Sequence, residues 1–277
     1  MNIKTSALAL AGKLRDYRSF PFEGFQLSKF IAAYLNGRIS DRSNSVSSIY
    51  KFKIKLSKSY FIFLKPEHMG MARGILVDKE YSNLRQYLNH EVRSSGSKLN
   101  ILDLGSNVGL SAIYLANEFH LANICCVEAD PRNFELLSKN LSVNETDAQI
   151  IFGAVGAEDS ELLELRISNN STCSTLVSQD FIHSSHTHKL TVPTISVEKI
   201  IDKLKWNKID ILKIDIEGAE DSLLKSSPSW LSIVSLIVME IHPNTTPEKI
   251  QTYLNPYGFQ LVRHSFGSEP VYIAFKQ

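Results

Sequence analysis

Three short stretches of the 277-residue chain gather side chains able to do chemistry. The first is Asp103-Leu104-Gly105-Ser106-Asn107-Val108-Gly109, a turn whose glycines let a ligand come close to the backbone. The second, Glu128-Ala129-Asp130-Pro131, ends an apolar run, where a carboxylate can accept two hydrogen bonds from the vicinal hydroxyls of a ribose. The third runs Lys213-Ile214-Asp215-Ile216-Glu217-Gly218-Ala219-Glu220, and Glu240 and His242 follow at the end of the next apolar run. Carboxylates and an imidazole so placed are the groups that take a proton from a reacting oxygen.

Such groups work only if strands and helices hold them at one edge of a scaffold. From Asn100 onward the chain alternates continuous apolar runs with amphipathic segments, the rhythm of an α/β domain with a mostly parallel, doubly covered sheet. Core strands are expected at Asn100–Leu104, Asn123–Val127, Gln149–Phe152, Ile209–Ile214 and Ser232–Ile241, with added strands at Leu162–Ile167 and Lys189–Thr194. Helices are expected at Val108–Glu118, after Pro131, and from the cap Ser196 to Leu204. Gly258–His264 and Val271–Phe275 read as a closing antiparallel pair. All the candidate residues then stand at the C-terminal ends of strands, where open α/β sheets bind ligands.

The preceding segment is organised differently, as an α+β extension. Tyr50–Leu56 alternates apolar and basic residues and, with Tyr60–Leu64, predicts a hairpin whose lysines 51, 53 and 55 lie on a solvated face. Helices are expected at Leu27–Leu35 and Lys79–Val92. The break Ser94-Ser95-Gly96-Ser97 suggests a boundary, giving residues 1–96 as an extension and 97–277 as the main domain.

The turn also speaks to the cofactor. Pyrophosphate binding needs the spacing GxGxxG, but Asn107 stands where the middle glycine would be and Asp103 precedes the turn. An acidic turn repels pyrophosphate and attracts the cationic methionyl end of S-adenosylmethionine. Thirty basic against 29 acidic residues leave a net charge of +1, which gives no field for nucleic acid. Cys125, Cys126 and Cys173 form no CxxC pair and read as small core residues of a reduced compartment. Ala7–Ala11 is too short for an export signal and Leu231–Ile241 too short for a membrane span, so a cytoplasmic protein is expected.

Taken together, Asp103–Gly109, Val127–Phe134 and Leu212–Glu220 strongly resemble the FkbM family of methyltransferases, over roughly Tyr81 to Phe275. The resemblance implies a class I methyltransferase fold with a Rossmann-like sheet, and O-methylation of a hydroxyl on a saccharide or secondary metabolite. Asn107 agrees with the family turn; Glu128-Ala129 replaces the Glu-Pro of many members and keeps the carboxylate. The residues expected to hold S-adenosylmethionine are Asp103, Gly105, Ser106, Asn107, Gly109, Glu128, Ala129 and Asp215. A nicotinamide-dependent oxidoreductase and a catalytically silent binding module on the same fold are the alternatives.

Methyl transfer to a hydroxyl is an in-line displacement that needs alignment and a proton acceptor. Lys213, Asp215, Glu217, Glu240 and His242 are the catalytic candidates, with His242 or Asp215 as general base because histidine titrates near neutrality. No metal is assigned on this reading; the alternative has Asp215, Glu240 and His242 bind a divalent cation that orients a diol. Glu217 and Glu220 equally suit the start of a helix, and Lys213 equally suits pairing with a neighbouring carboxylate. His183, His186 and His188 lie in a polar stretch, Asn169–His188, that reads as a solvated loop and a candidate lid rather than a zinc site. The residues before Tyr81 are expected to cap the acceptor side or to form a homodimer contact.

Overall fold

Apolar-basic alternation makes β1 (Tyr50–Lys55) a half-buried strand, and in the computed structural model it pairs antiparallel with β2 (Ser59–Leu64). The structure describes residues 15, 17–33, 48–90, 92, 96–156, 162–168, 175–176, 186–225, 228–264 and 270–276. Two compact units divide between Lys79 and Glu80.

In the first unit Phe52, Ile54, Ile62 and Leu64 fill the buried face of the hairpin, Phe22 stacks between Phe20 and Phe52, and Phe30 meets Phe20 and Phe22 edge-on. The opposite face carries the lysines. Lys51 and Lys55 are exposed, Lys51 Nζ sits 4.0 Å above the Phe61 ring, and Lys53 pairs with Glu23 at 2.9 Å, so this face is satisfied from within. Residues 27–33 are helical, as expected from Leu27 onward, and Gln26 leads into them by hydrogen bonding both the N–H and the carbonyl of Lys53. The helical turns α1 (Met69–Arg73) and Gly74–Asp78 end at Lys79 in a left-handed conformation.

The helix expected over Lys79–Val92 does not form as such. Lys79 and Asn83 both take positive φ, which ends any α-helix; a 3-10 turn, Leu84–Tyr87, follows, and helical geometry returns only at His90 and Val92. Tyr81, Leu84 and Leu88 are buried, Arg85 donates to the Glu118 carbonyl at 2.6 Å, and its guanidinium lies over Phe119. Tyr81, Leu84 and Leu88 lie in the second unit, which begins at Glu80.

The second unit continues with β3 (Leu99–Leu104), α2 (Leu110–Glu118), β4 (Ala122–Glu128), α3 (Pro131–Val143), β5 (Ala148–Phe152) and β6 (Ala154–Val155). Then come β7 (Leu162–Ser168), β8 (Thr175–Leu176), β9 (His186–Ile195), α4 (Val197–Leu204), β10 (Ile209–Ile214) and α5 (Glu220–Leu224). It closes with β11 (Val234–Glu240), α6 (Pro247–Leu254), β12 (Phe259–Arg263) and β13 (Val271–Lys276). Helix starts follow local chemistry: Asp130 caps α3 through the Arg132 amide with Pro131 in the first turn, and Ser196 caps α4 through the Lys199 amide at 3.1 Å.

Seven strands form the main sheet in the order β12-β13-β11-β10-β3-β4-β5. The five from β11 to β5 are parallel, while β13 runs antiparallel to β11 and to β12. This is the class I methyltransferase sheet with its C-terminal antiparallel pair. Every residue of β3 and β10 is buried, as continuous apolar runs demand of strands covered on both faces. From β3 the chain steps outward to β4 and β5 on one side, and β10 and β11 lie on the other, so the crevice between the ends of β3 and β10 is the switch point where such sheets bind ligands. A second sheet, β6-β9-β7-β8, is inserted between β5 and α4. Cys125 and Cys126 are buried free thiols in β4. Among the described residues no helix is long and apolar enough to cross a membrane. The expectations resting on Ala7–Ala11, Cys173 and His183, and on the side chains of His186 and His188, lie outside what is described.

Candidate active site

The turn after β3 is tied to the ends of both neighbouring strands. Gly105 and Ser106 donate their amides to the Val127 carbonyl at 3.0 and 2.9 Å, and Asp215 donates its amide to the Leu104 carbonyl at 3.1 Å. Gly105 has φ +76°, and a Cβ built there would stand 1.7 Å from the Asp215 carbonyl oxygen. The glycine is thus required by the exit of β10 as much as by any ligand. Asn107, at φ 49°, turns its amide onto Glu128 Oε2 at 2.8 Å, and Gly109 begins α2 at φ +82°.

Glu128 is 8% exposed, and its other oxygen accepts the Asp130 amide at 2.7 Å. Burial pushes its carboxyl up to about 7, against the two amides that favour the ion. Beside it opens a cleft walled by Gly105, Asn107, Glu128 and Ala129 on one side and Asp215 and Glu217 on the other. Gly153 to Val155 and Leu165 of the inserted sheet complete it, and Gly153 is fixed by donating to the Glu128 carbonyl at 3.0 Å. The Asn107 side-chain oxygen is buried at this wall and accepts no hydrogen bond. A group offering vicinal hydroxyls to Glu128 and a donor to Asn107 suits these residues.

Asp103 does not line this cleft. It is fully buried beneath the turn, where Oδ2 accepts from Ser111 Oγ at 2.6 Å and Oδ1 lies 3.2 Å from Lys213 Nζ, its partner across the β3/β10 ladder. That oxygen is within ion-pair distance yet outside hydrogen-bonding geometry, so the contact is best read as Coulombic. Lys213 donates to the Gly105 carbonyl at 2.7 Å and stands 3.3 Å from Asp215 Oδ2. Burial disfavours its charge, but Asp103 and Asp215 outweigh that and hold the ammonium well above its usual range. The acidity expected of the turn therefore reaches the cleft through Asp215, Glu217 and Glu128, while Asp103 is neutralised from below. Ser106 is likewise buried, with its hydroxyl on the Asp103 carbonyl.

Beyond β10 and β11 a second group assembles. His242 Nδ1 lies 2.9 Å from Glu220 Oε1, and Nε2 lies 3.5 Å from Glu217 Oε2. Burial disfavours the imidazolium, yet Glu220, Asp215 and Glu217 together raise His242 to about 10. The near-neutral titration expected from sequence is corrected accordingly: at pH 7 this histidine already carries both protons. Glu220 also accepts from the Ile216 and Gly218 amides, and Asn244 closes the loop by donating to the Gly218 carbonyl. Donor atoms of Asp215, Glu240 and His242 all lie within 4.8 Å of one another.

One participant and one pairing escaped the sequence. Tyr81 is buried within electrostatic reach of Lys213, Glu240 and Asp215, its phenol raised well above 10 by burial; nothing in its neighbours' pattern announces this. Glu220 is anchored to His242, 22 positions away, a pairing that only the adjacency of β10 and β11 creates.

Sheet order, switch-point cleft and buried carboxylate together define a methyltransferase of class I architecture. The methyltransferase FkbM domain family matches residues 103–261, more than half of the chain, and the chain belongs to that family. Methyltransferase sdnD of Sordaria araneosa is 24% identical over 74% of this chain and 87% of its own length. Hexuronic acid methyltransferase AglP of Haloferax volcanii is 26% identical over 55% of this chain and 60% of its own. A crystal structure of an FkbM methyltransferase from Methylobacillus flagellatus aligns over 76% of this chain and 53% of that one, at 15% identity and a TM-score of 0.45.

Proposed function

We propose that the chain transfers the methyl group of S-adenosylmethionine to a hydroxyl oxygen of a saccharide or secondary metabolite. The observation that carries this reading is Glu128, a buried carboxylate with each oxygen oriented by one backbone amide beside an open cleft. Its remaining lone pairs suit two vicinal hydroxyls of a ribose, and the turn opposite lacks the glycines that pyrophosphate needs. S-adenosylmethionine, when bound, supplies an electrophilic methyl on a positively charged sulfur.

The chain's own residues orient the partners and receive a proton. Gly105 and Asn107 present bare backbone and an amide side chain to one wall. Asp215 and Glu217 bring negative charge to the other, complementary to a sulfonium, and are the proton acceptors for the incoming hydroxyl. His242, already protonated, holds the Glu217 and Glu220 carboxylates in place. Lys213 stays charged and fixes Asp215 to the turn. A nicotinamide dinucleotide gains no support from either the turn or the family match, and a silent binding module has no need of cleft carboxylates. The relative named for a hexuronic acid supports a saccharide-like acceptor.

Incubating the protein with S-adenosylmethionine and a panel of saccharides and polyketides, read by mass spectrometry, tests the reading. One added methylene on an oxygen is expected. Asp215→Asn and Glu217→Gln should lower turnover by about 10²-fold or more while S-adenosylhomocysteine still binds. Transfer only to nitrogen or carbon, or full turnover in both variants, would reject it.

A further inference from the structure

We propose that Asp215, Glu240 and His242 form a site for one divalent cation of the manganese or magnesium type, with Glu220 as the positioning residue that presents His242 to it. The three side chains come from the ends of the adjacent parallel strands β10 and β11 and are each half-buried, so they are held by the sheet yet reachable from outside. Two carboxylates and one imidazole make a donor set suited to Mn2+, which accepts oxygen and nitrogen ligands together.

The histidine is arranged as metal-bound histidines are. Its Nδ1 is occupied by Glu220 Oε1 at 2.9 Å, which fixes the ring; Nε2, 3.5 Å from Glu217 Oε2, is the nitrogen left for an ion, and it must release its proton to bind one. Glu220 itself is fully buried and is held by the Ile216 and Gly218 amides, while its Oε2 accepts no hydrogen bond. A buried carboxylate with one unsatisfied oxygen is costly unless positive charge stands close by. Asp215 and Glu240 bring two further carboxylates within 4.8 Å of the His242 donor atom, and a divalent ion held among these three side chains supplies positive charge there.

Distances agree with modest closure. Ligands on opposite sides of an octahedral ion lie roughly 4.2 Å apart at bonds of about 2.1 Å, and the donor atoms here span 4.8 Å at most. Half-exposed Asp215 and Glu240 can move that far by side-chain rotation. Three protein donors leave roughly three of six positions open, enough for two neighbouring oxygens of an acceptor. The class of acceptor implied is one with vicinal oxygens, a diol or a hydroxy-carboxylate, and this part rests on the methyl-transfer reading. Asp215 then serves as ligand, and Glu217 alone takes the proton.

Titration of the full chain with Mn2+ alone, followed by loss of the free-ion electron paramagnetic resonance signal, tests the site without any turnover. One ion per chain is expected. Asp215→Asn, Glu240→Gln and His242→Ala should each weaken binding about tenfold or more, and Glu220→Gln about 10- to 100-fold although it is no ligand. Thermal melts establish that each variant is folded, and half-exposed Glu240 carries the test should His242→Ala misfold. No ion bound at millimolar Mn2+, or Glu240→Gln binding as tightly as the parent, overturns the site; unaltered binding by Glu220→Gln overturns the positioning role. S-adenosylhomocysteine titrated into the same samples reports the cofactor cleft separately, so failure of the ion site and failure of the methyl-transfer reading give different results.

Discussion

Lys213 shows how burial weighs between two tasks that a residue's type leaves open. The sequence places it on the same strand face as Asp215, two positions away, and both catalysis and pairing were open to it. Burial decides for pairing: at 4% side-chain exposure it answers Asp103 and Asp215 and the Gly105 carbonyl at once. Removing it strands a fully buried Asp103. Lys213→Met is expected to lower the unfolding free energy by about 3–5 kcal/mol in urea titrations, and adding Asp103→Asn to recover much of that loss. Glu128 gives a second prediction. Because burial raises its folded-state carboxyl to about 7 from 4.5, its contribution to stability is complete below pH 4.5 and is lost as pH rises through 7. The buried ion then waits for hydrogen-bond donors. Binding of S-adenosylhomocysteine, which needs the ionised form, should tighten about tenfold from pH 6 to pH 8, measured calorimetrically, and Glu128→Gln should abolish that dependence.

The elements were legible where hydrophobic period and caps agreed. β10 was expected and found at Ile209–Ile214, Ser196 caps α4, and the closing antiparallel pair is β12 with β13. The departure from a helix over Lys79–Leu88 has a physical cause: apolar residues that meet a core through turns can imitate a helical period, and the left-handed residues Lys79 and Asn83 carry no glycine signal. Of the site, the turn and the carboxylates could be seen because each is local; the Glu220–His242 contact and the Asp103–Lys213 pair could not, because they depend on strand order. The crossing of the β3 turn with the end of β10 is the tightest of these junctions. Gly105→Ala forces a methyl group into the Asp215 carbonyl and an unfavourable φ, so a loss of about 3 kcal/mol or more is expected in denaturant unfolding. Whatever fraction still folds should bind no S-adenosylhomocysteine, since Asp215 must shift.

Across the second unit, the seven-stranded sheet delivers the β3 turn, Glu128 and the carboxylates beyond β10 to one edge, and the inserted sheet closes the cleft through Ala154, Val155 and Leu165. A ligand that bridges these walls stabilises the folded state by mass action. At a hundredfold excess over its dissociation constant, S-adenosylhomocysteine should add about 2.7 kcal/mol and raise the thermal midpoint by roughly 5–10 °C, whereas NAD should leave it in place. The most direct test is calorimetric titration of the parent chain and of Glu128→Gln with S-adenosylhomocysteine at pH 8. One ligand bound per parent chain and at least tenfold weaker binding by the variant are the predicted results. Saturable binding of NAD with none of S-adenosylhomocysteine, or equal affinity in the two proteins, would contradict the assignment of this cleft to an adenosyl sulfonium.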